Sequence, residues 1–117
     1  MPTIRDLVAA IRQRDGIAAA VVLGRDGLLI ASEADDGVDA EQVAAHVPSI
    51  LQYSEELGQA AAQGDLRTVV LEHSHGATVM SAMSRDAVLL VLASPMADLG
   101  ALLFDLRRHR ANIAALV

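Results

Sequence analysis

The chain has 117 residues, a net charge of −6, a hydrophobic fraction of 53% and no cysteine. That length allows a single domain, residues 1–117, and the lack of thiols excludes disulfides and thiolate chemistry. With one Tyr, one Phe, no Trp and an acidic balance, it lacks the broad basic and stacking surface that nucleic-acid binding uses.

The mean hydropathy of +0.38 is high for so small a protein. Small domains bury a limited share of their surface, so part of this apolar content is left for a partner. No apolar run approaches the roughly 18 residues of a membrane helix. Arg5 and Asp6 precede any apolar core at the N-terminus, against a secretory signal. A cytoplasmic protein with no membrane insertion is the expectation.

Residues 2–14 predict a first helix. Pro2 or Thr3 starts it, Ile4, Leu7, Val8 and Ile11 form its apolar face, and Gly16 ends it. Ile17 to Leu23 reads as a strand with Ile17, Ala19, Val21 and Leu23 on one face and Ala18, Ala20 and Val22 on the other. Both faces are apolar, so both should be buried. Gly24-Arg25-Asp26-Gly27 is a turn, with Gly27 suited to positive φ. Leu28 to Glu33 returns as a second strand.

Val38 to Gln63 is the longest helical signal. Asp39 and Gln42 have capping-box spacing, and Gly64 is placed for a left-handed C′ residue. Val43, Val47, Ile50, Ser54, Leu57 and Ala61 follow at steps of four and three, the ridge of a 3.6-period helix. Ala44, Ala45, Leu51, Ala60 and Ala62 widen the apolar surface, so the helix should pack against two things. Pro48 falls about two turns in. It cannot donate to the Ala44 carbonyl, so a bend or break is expected there.

A three-strand meander follows: Leu66 to His73, Ala77 to Met83 and Ala87 to Ala93, with turns at Ser74-His75-Gly76 and Ser84-Arg85-Asp86. Asp98 to Leu116 is the last helix, with Leu99, Leu102, Leu103, Leu106, Ile113 and Leu116 inward and Arg107, Arg108 and Arg110 suiting the C-terminal dipole. The element order is α-β-β-α-β-β-β-α. The first and fifth strands are apolar on both faces and so central. Joining the hairpin to the meander through them gives a five-stranded antiparallel sheet of order 2-1-5-4-3 in an α+β sandwich, with helices on both faces. The third strand is an edge blunted only by Glu72 and Arg67, a template for pairing with another chain.

Signals for chemistry are weak. His73 and His75 flank a tight turn, but two imidazoles are too few for a closed zinc site, and a polar hairpin tip is the plainer reading. His46 reads as an interface or surface residue rather than a base, and His109 as a solvated helix end. Ser81, Ser84 and Ser94 have no glycine-flanked elbow or paired His. Asp35, Asp36 and Asp39 lack the spacing and terminal Glu of a Ca²⁺ loop. No phosphate-loop motif is present. No catalytic, cofactor or metal residue is assigned, and none of these groups makes an enzyme. Arg25 and Arg85, at hairpin turns, read as solvated residues rather than as arginine fingers.

Three stretches carry a resemblance. IAAAVVLGRDGLLIASE (17–33), GATVMSAMSRDAVLLVLASP (76–95) and DLGALLFDLRRHRANIAAL (98–116) resemble, in order and spacing, the first hairpin, last hairpin and closing helix of the roadblock family (dynein light-chain roadblock type), especially its bacterial MglB-like members. The resemblance implies a sheet between one helix on one face and two on the other. It implies a homodimer through the long helix and the neighbouring edge strand, with a continuous ten-stranded sheet. It also implies a small Ras-like GTPase as partner, bound by a non-enzymatic activator or scaffold that repositions the GTPase's own groups. The dimer seam is then expected at Val43, Val47, Ile50, Leu51, Ser54, Leu57, Val69 and Leu71. The competing readings are a dimeric scaffold or sensor subunit with no effect on hydrolysis, and a small-ligand or metal-binding domain using His73 and His75.

Overall fold

A computed structural model describes residues 2–116. The elements are α1 (Ile4–Arg12), β1 (Ile17–Gly24), β2 (Leu29–Ala34), α2 (Ala40–Ala45), α3 (Val47–Ala60), β3 (Thr68–His73), β4 (Gly76–Ala82), β5 (Ala87–Ala93), α4 (Leu99–Arg108) and α5 (Arg110–Ala114). The five strands form one antiparallel sheet of order β2-β1-β5-β4-β3, as the burial pattern predicts.

The sheet separates two cores. On one side Ala20, Val22, Val79, Leu89 and Val91 meet Val8 and Ile11 of α1, Leu102 and Leu106 of α4, and Ile113 of α5. On the other, Ala19, Val21, Leu23, Met80, Val88 and Leu90 meet Ala44 of α2 and Val47 and Leu51 of α3. The period-2 alternation of β1 and β5 feeds both cores at once. Ile17 departs from the expected alternation. A register shift lies between Ile17 and Ala19 on the β5 side, and the extra residue moves Ile17 into the α1 core.

The helix starts are set by local capping. Thr3 Oγ1 accepts from the Asp6 N–H at 3.1 Å, and the Asp6 carboxylate accepts from the Thr3 N–H at 2.9 Å, a reciprocal box that fixes Thr3 as the cap. Asp39 accepts from the Gln42 N–H at 3.2 Å; among the described residues only this forward half of the expected box forms. Asp98 caps α4 through the Ala101 N–H at 3.0 Å.

The long helix is two helices. His46, at φ −84° and ψ −13°, closes α2 and opens α3, and its N–H bonds the Val43 carbonyl at 3.2 Å. Proline cannot supply the bond across the junction, so the first helix stops. Pro48 then stands at the start of α3, where a missing N–H costs nothing. The expected break is present, but Pro48 is a first-turn residue of a new helix and not an interior one. The junction rests on the β1–β2 turn. A Cβ on Gly27 (φ +89°) would lie 3.3 Å from both the Ala44 carbonyl oxygen and the Pro48 ring.

The end of α3 corrects a second expectation. The helix stops at Ala60, short of Gln63, and the left-handed residue is Ala62 at φ +58°. The Gln63 N–H bonds the Gly58 carbonyl at 2.8 Å and the Ala62 N–H bonds the Gln59 carbonyl at 3.1 Å. This is the Schellman pattern with alanine in the glycine position. Gly64 is also left-handed, at φ +83°, but it lies two residues further on.

The last helix is interrupted as well. His109, at φ −105° and ψ +13°, separates α4 from α5, and the bend turns Arg110 toward the sheet. Its guanidinium donates to the Ala82 carbonyl at 2.6 Å and to Thr68 Oγ1 at 3.3 Å. Burial, then the charges of Arg67 and Arg107, lower its pKa. Near the end of α1, Arg14 donates to Asp105 of α4 at 2.7 Å.

Two predictions follow from this geometry. Ala62→Gly removes a left-handed alanine and should stabilise the chain by roughly 0.5–1 kcal/mol. Gly64→Ala, with nothing near its Cβ, should destabilise it through backbone strain alone. Urea unfolding of both variants checks the pair. Separately, the Arg14 hydrogen bond holds the Asp105 carboxyl below its ordinary range, overcoming the opposing effect of burial. A depressed folded pKa contributes stability above the unfolded value of about 3.9, and that contribution is lost as pH falls through the folded value. Asp105→Asn should therefore flatten the acid limb of a stability–pH profile and leave its slope near pH 7 unchanged.

Candidate protein-interaction surface

The outer side of α3 carries an apolar patch. Val47 and Leu51 point inward and are 0% and 4% exposed, whereas Tyr53 and Leu57 are each 70% exposed. Helical spacing stacks Ile50, Tyr53 and Leu57 at steps of three and four. Ile50 is half-buried beside the core and supplies the root of the patch. Exposed Gln52, Glu56 and Gln59 flank it, with Gln52 donating to Glu56 at 3.4 Å.

The sheet that α3 covers has a free strand edge. β3 pairs only with β4 and ends the sheet. Val69 and Leu71 are half-buried on the α3 side, packed against the same core as Val47. Val70 faces the other side and is 44% exposed. Within Thr68–His73 the only carboxylate is Glu72, so the backbone groups of the outer edge are lightly guarded.

The eight residues expected at a seam therefore divide. Val47 and Leu51 are consumed by the protomer's own core and offer no surface. Val43, Ile50, Ser54, Val69 and Leu71 are half-buried, and Leu57 is fully presented. The inward ridge runs Ala44-Val47-Leu51, at steps of three and four, rather than Val43-Val47-Ile50, and this accounts for the division. Tyr53 was absent from the expected set. Its signal was available: it is the chain's single Tyr, three residues after Ile50 and four before Leu57.

A polar groove of about 880 Å³ adjoins the patch, between α3 and the β1–β2 and β4–β5 turns. Arg25 forms an ion pair with Glu55 there, tying the first hairpin turn to α3, and its Nε has no partner. Arg85 is exposed at the other turn and lines the same groove.

The remaining candidates have structural roles. Ser84 Oγ accepts from the Asp86 and Ala87 N–H groups, and Ser94 Oγ accepts from the Met96 N–H, so both serve turns. Ser81 is buried in the sheet with an unpartnered hydroxyl. His73 and His75 are exposed at the hairpin tip, where His75 Nδ1 lies 2.9 Å from Ser74 Oγ. Among the described residues no three metal-ligating side chains converge. Nor, among the described residues, is any helix long and apolar enough to cross a membrane.

Residues 3–93 match the family described as the Roadblock/LC7 domain. An uncharacterized protein of the archaeon Methanocaldococcus jannaschii is 30% identical over 106 residues, covering 91% of this chain and 92% of its own. The structure is similar to a Roadblock/LC7 domain from Streptomyces avermitilis, with TM-score 0.83, 24% identity and coverage of 96% and 95%. It is also similar to the gliding protein MglB of Thermus thermophilus, with TM-score 0.82, 14% identity and coverage of 95% and 85%. A further MglB structure, at TM-score 0.83 and 15% identity, has a tetrameric arrangement.

The inward and outward sides of α3 should separate by mutation. Leu51→Ala should cost about 2–5 kcal/mol of folding stability. Tyr53→Ala and Leu57→Ala should each cost under about 0.5 kcal/mol in dilute protein. Chemical denaturation at low protein concentration checks all three.

Proposed function

The chain belongs to the Roadblock/LC7 family, and from that premise we propose that it is a homodimeric, non-enzymatic regulator of a small Ras-like GTPase. The observation that carries the reading is the exposed Tyr53–Leu57 face of α3 together with the open edge of β3, whose Val69 and Leu71 pack against the same core as α3. Two such protomers related by a two-fold axis would pack α3 against α3 and extend the sheet from β3 to β3. The tetrameric arrangement of a structurally similar MglB supports a surface built for self-association.

Magnitudes favour using both parts of the surface. Four large side chains, two from each protomer, contribute about 6–12 kcal/mol at 1.5–3 kcal/mol each. Association costs roughly 4–15 kcal/mol in lost freedom. The helix patch alone is therefore marginal, and strand pairing at β3 supplies the remainder and the orientation. The GTPase partner follows from the resemblance of the sequence to roadblock domains.

The regulatory step in this reading rearranges groups of the GTPase itself. Arg25 is held by Glu55, which leaves it poorly placed to act as an arginine finger.

Leu57→Asp with Tyr53→Asp should give a folded monomer by circular dichroism and sedimentation, and should abolish stimulation of GTP turnover by the bound GTPase. Binding without any change in turnover would leave a scaffold. Loss of a true arginine finger costs 10³–10⁵ in rate; Arg25→Ala and Arg85→Ala should each leave stimulated turnover within about threefold of wild type.

A further inference from the structure

The chain's two aromatic side chains both lie outside its core. Tyr53 belongs to the α3 patch. Phe104 is 61% exposed on α4, across the sheet from α3. Leu102 and Leu106 of α4 are buried, which turns Gly100, Phe104, Arg107, Arg108 and Ala111 outward at helical spacing. Met96, just before the helix, is 90% exposed.

Arg107 and Arg108 lie three and four residues beyond Phe104, so both guanidiniums share its side of the helix. Among the described residues neither forms a salt bridge. The nearby carboxylate of Asp105 is taken by Arg14, and Arg110 is turned into the sheet. On a chain of net charge −6, this is a locally basic stripe with an aromatic at one end. Exposed aromatic and Arg side chains together are the composition enriched at the centres of protein interfaces.

We propose that the outer face of α4 docks an acidic segment of a partner protein, one that places an apolar side chain on Phe104 and carboxylates on Arg107 and Arg108. Charge complementarity selects this occupant. An isologous contact with a second copy would set Arg107 and Arg108 close to their own counterparts. An anionic membrane would be met by two free guanidiniums and one aromatic ring on a chain that it repels overall. A carboxylate pair matches the planar forks of two adjacent guanidiniums. The surface is separate from the α3 patch, so both can be occupied together and the assignment does not depend on the dimer.

The test is fluorescence anisotropy with a labelled peptide that alternates glutamate with leucine and phenylalanine. Wild type should bind it in a salt-sensitive manner. Phe104→Ala and the pair Arg107→Glu with Arg108→Glu should each weaken binding at least about tenfold, while Leu57→Asp leaves it unchanged. Phe104→Ala alters only an exposed side chain and keeps the result readable should the charge reversal unfold the helix. Absence of binding by wild type would overturn the assignment, as would equal binding by all variants. Binding of wild type to phosphatidylglycerol vesicles instead of the peptide, or a change in self-association caused by Phe104→Ala, would overturn it in favour of a lipid or a second copy.

Discussion

The antiparallel pairing of β1 with β5 is the constraint on which the rest of the molecule depends. Ala20, Val22, Leu89 and Val91 face one way, and Ala19, Val21, Val88 and Leu90 face the other, all essentially without exposure. A strand pair apolar on both faces must be covered on both, so helices are required above and below the sheet. Their joining at the centre also sends β2 and β3 to the outside. The open β3 edge is thus a consequence of where the core lies.

The second determinant is the interruption at His46. One continuous helix from Ala40 to Ala60 would carry a single ridge toward the sheet. The chain breaks ahead of Pro48 yet keeps that phase: Ala44, Val47 and Leu51, at steps of three and four, complete the core, while Tyr53 and Leu57 lie outside. Gly27, close against both the Ala44 carbonyl and the Pro48 ring, links this junction to the first hairpin turn.

Much of this architecture was legible in the residues. The double-faced apolarity of β1 and β5 yields the strand order, and the limits of β5 coincide with its apolar run, Ala87–Ala93. What escaped has identifiable physical causes. Ile17 changes face through a bulge, which alternation alone does not announce. The end of α3 was assigned to Gly64 by propensity, whereas an alanine adopts the left-handed position because the Gly58 and Gln59 carbonyls find donors there. The bend at His109 has no proline or glycine to signal it and goes with the reach of Arg110 to the sheet. On the long helix, a ridge read from Val43 does not reveal that Val47 and Leu51 are buried in the protomer's own core while Tyr53 is exposed. Ala44-Val47-Leu51 and Val43-Val47-Ile50 have the same helical spacing, so periodicity alone does not say which of the two faces the sheet.

In the proposed dimer, the α3 face and the β3 edge together form the interface between two copies of this chain. Amide hydrogen exchange across a protein dilution series tests it most directly, because it reads the edge backbone itself. The account predicts that the β3 amides not bonded to β4 are protected at high concentration and lose protection on dilution, together with slowed exchange in α3. Rapid exchange at that edge at every concentration, in protein that sediments as a dimer, would contradict it.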